Sequence, residues 1–76
     1  MKNRVKQFRL KKNISQVKLA TAANVTRQTI SLIEKGEYNP SLQLCLQICY
    51  ALGKTLDEIF WNDDQQGAKQ NEKNYR

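Results

Sequence analysis

The sequence contains no histidine, and has only one proline, one methionine, one tryptophan and two cysteines in 76 residues. Without histidine it lacks the side chain most used for proton transfer near neutral pH and the commonest metal ligand. Cys45 and Cys49 fall four apart within one predicted helix. A disulfide framework would use more cysteines spread over loops, and a metal site would need a further cluster of ligands. Both are read as small buried apolar residues of a protein in a reducing cytoplasm. The glycines form no phosphate-cradling loop, and the adjacent Asp63 and Asp64 lie in a polar stretch, where they read as a solvated pair. Catalysis therefore finds no support, and no metal, cofactor or small-molecule ligand is expected. No run approaches the ~20 apolar residues needed to span a bilayer. The N-terminal MKNRVKQFRLKK is basic but has no continuous apolar core, so it does not read as a secretory signal.

Acidic residues are missing where basic ones abound. The net charge is +6, and residues 1–12 hold six basic side chains and no acid. Residues 1–36 together carry +8, residues 37–61 carry −2, and the remainder sums to zero. A surface charged only for solubility would mix the signs more evenly. A one-sided basic field is the electrostatic footprint of a polyanionic partner. A chain of this length builds one small domain, burying roughly 60% of its unfolded surface, and stands to gain stability by dimerising.

The stretch Ser15–Gly36, SQVKLATAANVTRQTISLIEKG, reads as two short helices joined by a tight turn. Ser15 and Thr26 are N-cap types, whose side-chain oxygens accept unpaired N–H groups of a first turn. Asn24 and Gly36 are stop types, tolerant of the left-handed conformation. Leu19 and the small Ala20 let the first helix pack closely on the second, and Ile30 and Ile33 share the second helix's buried face. A preceding helix is predicted from Lys2 or Asn3 to Lys12, with Val5 and Phe8 inward and Asn13 as its stop. After the loop Glu37–Pro40, a fourth helix opens at Pro40-Ser41, with Leu42, Cys45, Ile48, Cys49 and Leu52 as its core face. Gly53 ends it. Thr55-Leu56-Asp57-Glu58 is a capping box, followed by a short fifth helix carrying Leu56, Ile59 and Phe60. Trp61 closes the domain. Residues 62–76 are too polar to offset the entropy of ordering and are expected to form a disordered tail.

Helical geometry puts Gln28, Ser31, Leu32 and Lys35 opposite Ile30 and Ile33, with Arg27 at the exposed helix start. Arginine pairs with guanine and glutamine with adenine through two hydrogen bonds each, and the first residues of a recognition helix reach base edges. Arg27 and Gln28 are therefore the candidate base readers. Gln16 and Thr26 open the two helices, where free N–H groups attract phosphate, and Thr29 and Ser31 are further candidates for backbone contact. Leu32 has two readings: it packs onto the loop at Tyr38, or it touches the C5-methyl group of a thymine. Leu46 and Tyr50 lie four apart on another side of the fourth helix without an evident internal partner. With Trp61 they make the candidate dimer surface.

Several segments, ISQVKLA, the turn at Asn24, VTRQTISLIEKG, YNPS and ALGKTLDEIF, together resemble the small stand-alone form of the Cro/CI-type, or XRE, helix-turn-helix family. The resemblance runs from about Lys2 to Phe60. Asn24 departs from the glycine more usual at the turn, and Leu32 from a commonly polar or basic residue. The resemblance implies an all-α, five-helix lambda-repressor-like domain over residues 1–61, followed by the tail 62–76. It further implies that Arg9 pairs with Glu34 to brace the first helix against the recognition helix, and that Gln16, Lys35 and Asn39 contact the DNA backbone. The expected protein is a cytoplasmic, nucleoid-associated regulator of a prokaryote or phage that binds double-stranded DNA. A repressor acting as a homodimer on an inverted repeat is the leading form. An antitoxin autorepressor or restriction–modification controller would use the same binding mode. A helical protein-interaction module without DNA binding is the rival of another class. RNA binding is disfavoured because the basic face lacks stacking aromatics.

Overall fold

The computed structural model describes residues 2–60, and folds them into five helices: α1 Val5–Lys11, α2 Gln16–Ala23, α3 Arg27–Glu34, α4 Leu42–Leu52 and α5 Leu56–Phe60. The capping chemistry is local and explicit. Ser15 Oγ accepts from Lys18 N at 3.0 Å, Thr26 Oγ1 from Thr29 N at 3.1 Å, and Ser41 Oγ from Leu44 N at 3.1 Å. Before α5 the bonds are reciprocal: Thr55 N donates to Glu58 Oε1 at 2.9 Å, and Glu58 N donates to Thr55 Oγ1 at 3.3 Å. Each such cap is worth about 1 kcal/mol against alanine.

The first four helices all stop alike. A residue of positive φ (Asn13, Asn24, Gly36 or Gly53) follows the helix. The next N–H then reaches back five residues: Ile14 to Arg9, Val25 to Ala20, Glu37 to Leu32 and Lys54 to Cys49. This closure satisfies carbonyls that the helix leaves unpaired. At Gly53 a Cβ would meet nothing within 4 Å, so only the backbone conformation, φ +69°, favours glycine there.

Val5, Leu19, Ala20, Ala23, Ile30, Ile33, Leu44, Ile48, Cys49, Leu52 and Ile59 form one buried core, edged by Phe8, Ile14, Val25, Ala51, Leu56 and Phe60. Helix α2 sits between α3 and α4, and its small Ala20 and Ala23 sit at full burial where the backbones come close. Arg4 N donates to Ile59 O at 2.8 Å, tying the start of α1 to α5.

Two expectations are corrected. Helix α1 begins at Val5, not at Lys2 or Asn3, because the Asn3 side chain intervenes. Its Oδ1 accepts from Val5 N at 3.0 Å, while its Nδ2 donates to Ile33 O at 2.8 Å. Leu42 is not a core residue but is 66% exposed; Leu44, which the sequence reading passed over, is buried in its stead. Counting back from Ile48 and Cys49 by one turn lands on Leu44 and Cys45. Leu42 instead aligns at four-residue intervals with Leu46 and Tyr50. Trp61 and the tail 62–76 lie outside the described residues. Among the described residues no helix is long and apolar enough to cross a membrane.

Candidate nucleic-acid interface

Helix α3 is short, and its two sides are sharply divided. Ile30 and Ile33 are completely buried, which fixes the rotation of the helix about its axis. Arg27 and Gln28 then stand exposed at the capped N-terminus, and Lys35 is exposed at the other end. Thr29, Ser31 and Leu32 are half-buried. Leu32 is thus partly covered and partly open to solvent. Asn39 is exposed in the connection from α3 to α4.

The threonines at the start of α3 are coupled. Thr26 Oγ1 and Thr29 Oγ1 lie 3.0 Å apart in a mutual hydrogen bond, in addition to the capping bond. One hydroxyl hydrogen is spent between them, whichever donates. One remains to point outward, so the pair offers a single hydroxyl donor to an external anion.

Behind this surface lies an ion pair. Arg9 Nε donates to Glu34 Oε2 at 2.7 Å and Arg9 Nη2 to Glu34 Oε1 at 3.4 Å, with the two side chains only 9% and 4% exposed. Arg9 Nη1 donates to Ile14 O at 2.9 Å. The guanidinium therefore joins α1, the α1–α2 connection and the end of α3. Arg9 balances Glu34, so the basic field of the first 36 residues comes from the other cations. Gln16, which the resemblance assigned to phosphate, is engaged with side chains: Nε2 donates to Glu34 Oε1 at 2.9 Å, and Oε1 accepts from Arg27 Nη1 at 3.0 Å. Its second amide hydrogen is not used in these bonds. The Gln16–Arg27 link was not foreseen. It joins two helix starts eleven residues apart, and no periodicity signals a contact between different helices.

Other chemistry-bearing groups are distant from this arrangement in kind. Cys45 and Cys49 are free and buried, and burial pushes both thiols above their ordinary range. Both pack on α4 as small apolar residues. Among the described residues no group of His, Cys, Asp and Glu side chains could hold a metal ion. On the outer side of α4, Tyr50 is 86% and Leu46 42% exposed. Beside them is a shallow groove of about 180 Å³, walled by Leu46, Cys49, Tyr50, Lys54, Thr55 and Leu56.

A helix held by its apolar face behind a three-residue turn, with long polar side chains at its free end, defines a helix-turn-helix module. Residues 5–59 match the helix-turn-helix family HTH_3. YgzD of Bacillus subtilis, described as an uncharacterised HTH-type transcriptional regulator, is 46% identical over 65 residues, 86% of this chain and 98% of its own. An uncharacterised HTH-type transcriptional regulator of Archaeoglobus fulgidus is 41% identical over 66 residues, 87% of this chain and 93% of its own. The immunity repressor protein of Bacillus phage phi105 is 38% identical over 56 residues, 74% of this chain but 39% of the repressor. The chain belongs to this family, as a small XRE-type helix-turn-helix regulator.

Proposed function

We propose that this protein is a cytoplasmic transcriptional repressor that binds an inverted-repeat operator as a homodimer, with α3 of each copy in the major groove. One observation carries the reading: burial of Ile30 and Ile33 leaves α3 a single presentable side, headed by the exposed Arg27 and Gln28. Arg27 suits guanine O6 and N7, Gln28 suits adenine N6 and N7, and Leu32 offers its uncovered part to a thymine methyl group. Gln16, the Thr26–Thr29 pair, Ser31, Lys35 and Asn39 hold the register on phosphates. The phage immunity repressor among the relatives supports repression. A single α3 reads few base pairs, and two-fold dimers place two such helices about one turn of DNA apart. The α4 side with Leu46 and Tyr50 supplies a self-complementary surface: a two-fold axis would set each projecting Tyr50 against its partner's groove. Trp61, also assigned to that surface, is outside the described residues.

Selection of duplexes from a randomised pool, followed by gel shifts, tests the reading. The expected result is an enriched inverted repeat containing guanine and adenine positions whose preference is lost in Arg27→Ala and Gln28→Ala. Each loss should be about 1–3 kcal/mol of discrimination at one base pair. Binding that is equal on all duplexes, or unchanged in both variants, would overturn it.

A further inference from the structure

Residues 37–61 contain a single basic side chain, Lys54, against Glu37, Asp57 and Glu58. Lys54 follows the left-handed Gly53, where the chain reverses and its N–H bonds back to Cys49 O at 3.0 Å. Its side chain meets α1 at Phe8, which shares one side of that helix with Lys11 and Lys12, three and four residues on. Lys54 Nζ lies 5.2 Å and Lys11 Nζ 5.6 Å from the centre of the Phe8 ring. With Lys12, Leu52 and Gly53 these residues line an open cleft of about 410 Å³. Small-ligand sites usually measure about 300–1,000 Å³. Gly53 borders free space, since a Cβ there would meet nothing within 4 Å. No carboxylate is among the lining residues. Glu58, the acid whose charge Lys54 influences, is engaged with the Thr55 N–H and hydroxyl.

We propose that this cleft is a binding site for a compact di- or triphosphate, free or carried by a nucleoside, held by Lys11, Lys12 and Lys54 over the Phe8 ring. Helices α1 and α4 both end here, and a helix C-terminus favours a cation nearby. That effect accounts for one lysine at each end but not for three around one recess. Two helix ends supply about one negative charge between them against three positive ones, so the cleft stays strongly positive. A recess lined by one sign of charge focuses its field on whatever enters. Lysine ammonium groups are point charges on flexible stems, free to leave the ring and close on phosphate oxygens. Duplex DNA is far too wide to enter, and neither α2 nor α3 contributes a lining residue. The occupant is therefore small and multiply charged. This site stands apart from the α3 surface and does not depend on the base-reading assignment.

Calorimetric titration of the full chain with inorganic pyrophosphate, in the absence of DNA, tests the site. Saturable binding of one pyrophosphate per chain is expected. The double variant Lys11→Gln/Lys54→Gln should weaken it by about 10-fold or more, the worth of one hydrogen bond to a charged group. Lys6→Gln/Lys18→Gln removes the same charge outside the cleft and should change binding by less than about two-fold, as expected of screened surface charges. All four lysines are exposed, so the variants should keep the fold, which circular dichroism checks. ADP titrated alongside separates the two sources of the same chemistry. Tighter binding than pyrophosphate, with the excess lost in Phe8→Leu, assigns a nucleotide; equal binding assigns the bare polyphosphate. Equal losses in the two double variants would reduce the effect to the general basic field and overturn the site. Absence of saturable pyrophosphate binding would overturn it too. If Lys11→Gln/Lys54→Gln then weakened gel shifts, these lysines would belong to the DNA backbone instead.

Discussion

Arg9 and Glu34, 25 positions apart, meet through a fork of two hydrogen bonds with both side chains more than nine-tenths buried. Two opposite charges taken out of water this way attract strongly, but either one alone would be stranded. The pair also closes the space between α1 and the end of α3, so its loss is felt on both helices.

Removing either partner should therefore cost about 3–5 kcal/mol, a large share of the stability expected of a domain this small. Urea denaturation of Arg9→Met, Glu34→Gln and the double variant measures it, and the cycle should give a coupling above ~1 kcal/mol. Additive losses would reduce the pair to two unrelated polar contacts.

Tyr50 should matter to assembly and not to folding. With 86% of its surface exposed, Tyr50→Asp should leave the helical circular-dichroism spectrum unchanged, shift sedimentation toward the monomer and lower the thermal midpoint only by what dimerisation adds. Operator affinity should fall along with dimerisation. A natural protein that sediments as a monomer, both free and on its operator, would rule the dimer out.

For Leu32, replacing one thymine per half-site by deoxyuridine should weaken binding of the natural protein about 4-fold, the worth of one buried methyl group near 0.8 kcal/mol. Leu32→Ala should be indifferent to the same replacement. If every thymine tolerates uracil, the half-buried leucine serves packing alone.

The capping box before α5 predicts a pH dependence. The Thr55 backbone N–H, aided by the Thr55 hydroxyl and Lys54, holds the Glu58 carboxyl below its usual range. A carboxyl depressed in the folded state stabilises it above the unfolded pKa, and that contribution is lost as pH falls through the folded value. Urea midpoints of the natural protein and Glu58→Gln should thus differ at neutral pH and converge as pH falls below the ordinary carboxylate range. A difference that persists unchanged in acid would assign the effect to side-chain shape.

Where local chemistry decides the structure, it was legible from residues alone. Ser15, Thr26, Ser41 and Thr55 cap, and Asn13, Asn24, Gly36 and Gly53 stop, because each satisfies or bends its own few neighbours. The exposure of Arg27 and Gln28 followed equally from the position of Ile30 and Ile33 one turn on. Reading failed where a distant partner decides. Asn3 caps from outside α1 because Ile33 holds its amide, and the bonds of Gln16 to Glu34 and Arg27 gave no signal in its own segment. At Leu42 the error was one of phase: two leucines two residues apart offered alternative stripes, and the common core took Leu44.

The turn of residues 24–26 has no slack. Asn24 is committed to the left-handed stop, Val25 to its return bond with Ala20, and Thr26 to the cap. One residue added there would turn every later side chain of α3 by roughly 100° about the helix axis, or else pull Ile30 and Ile33 from the core. Length at this point acts as a reading frame in space. Substitutions on α3 can rewrite what is read, but an insertion beside Asn24 would make the same letters face the wrong way.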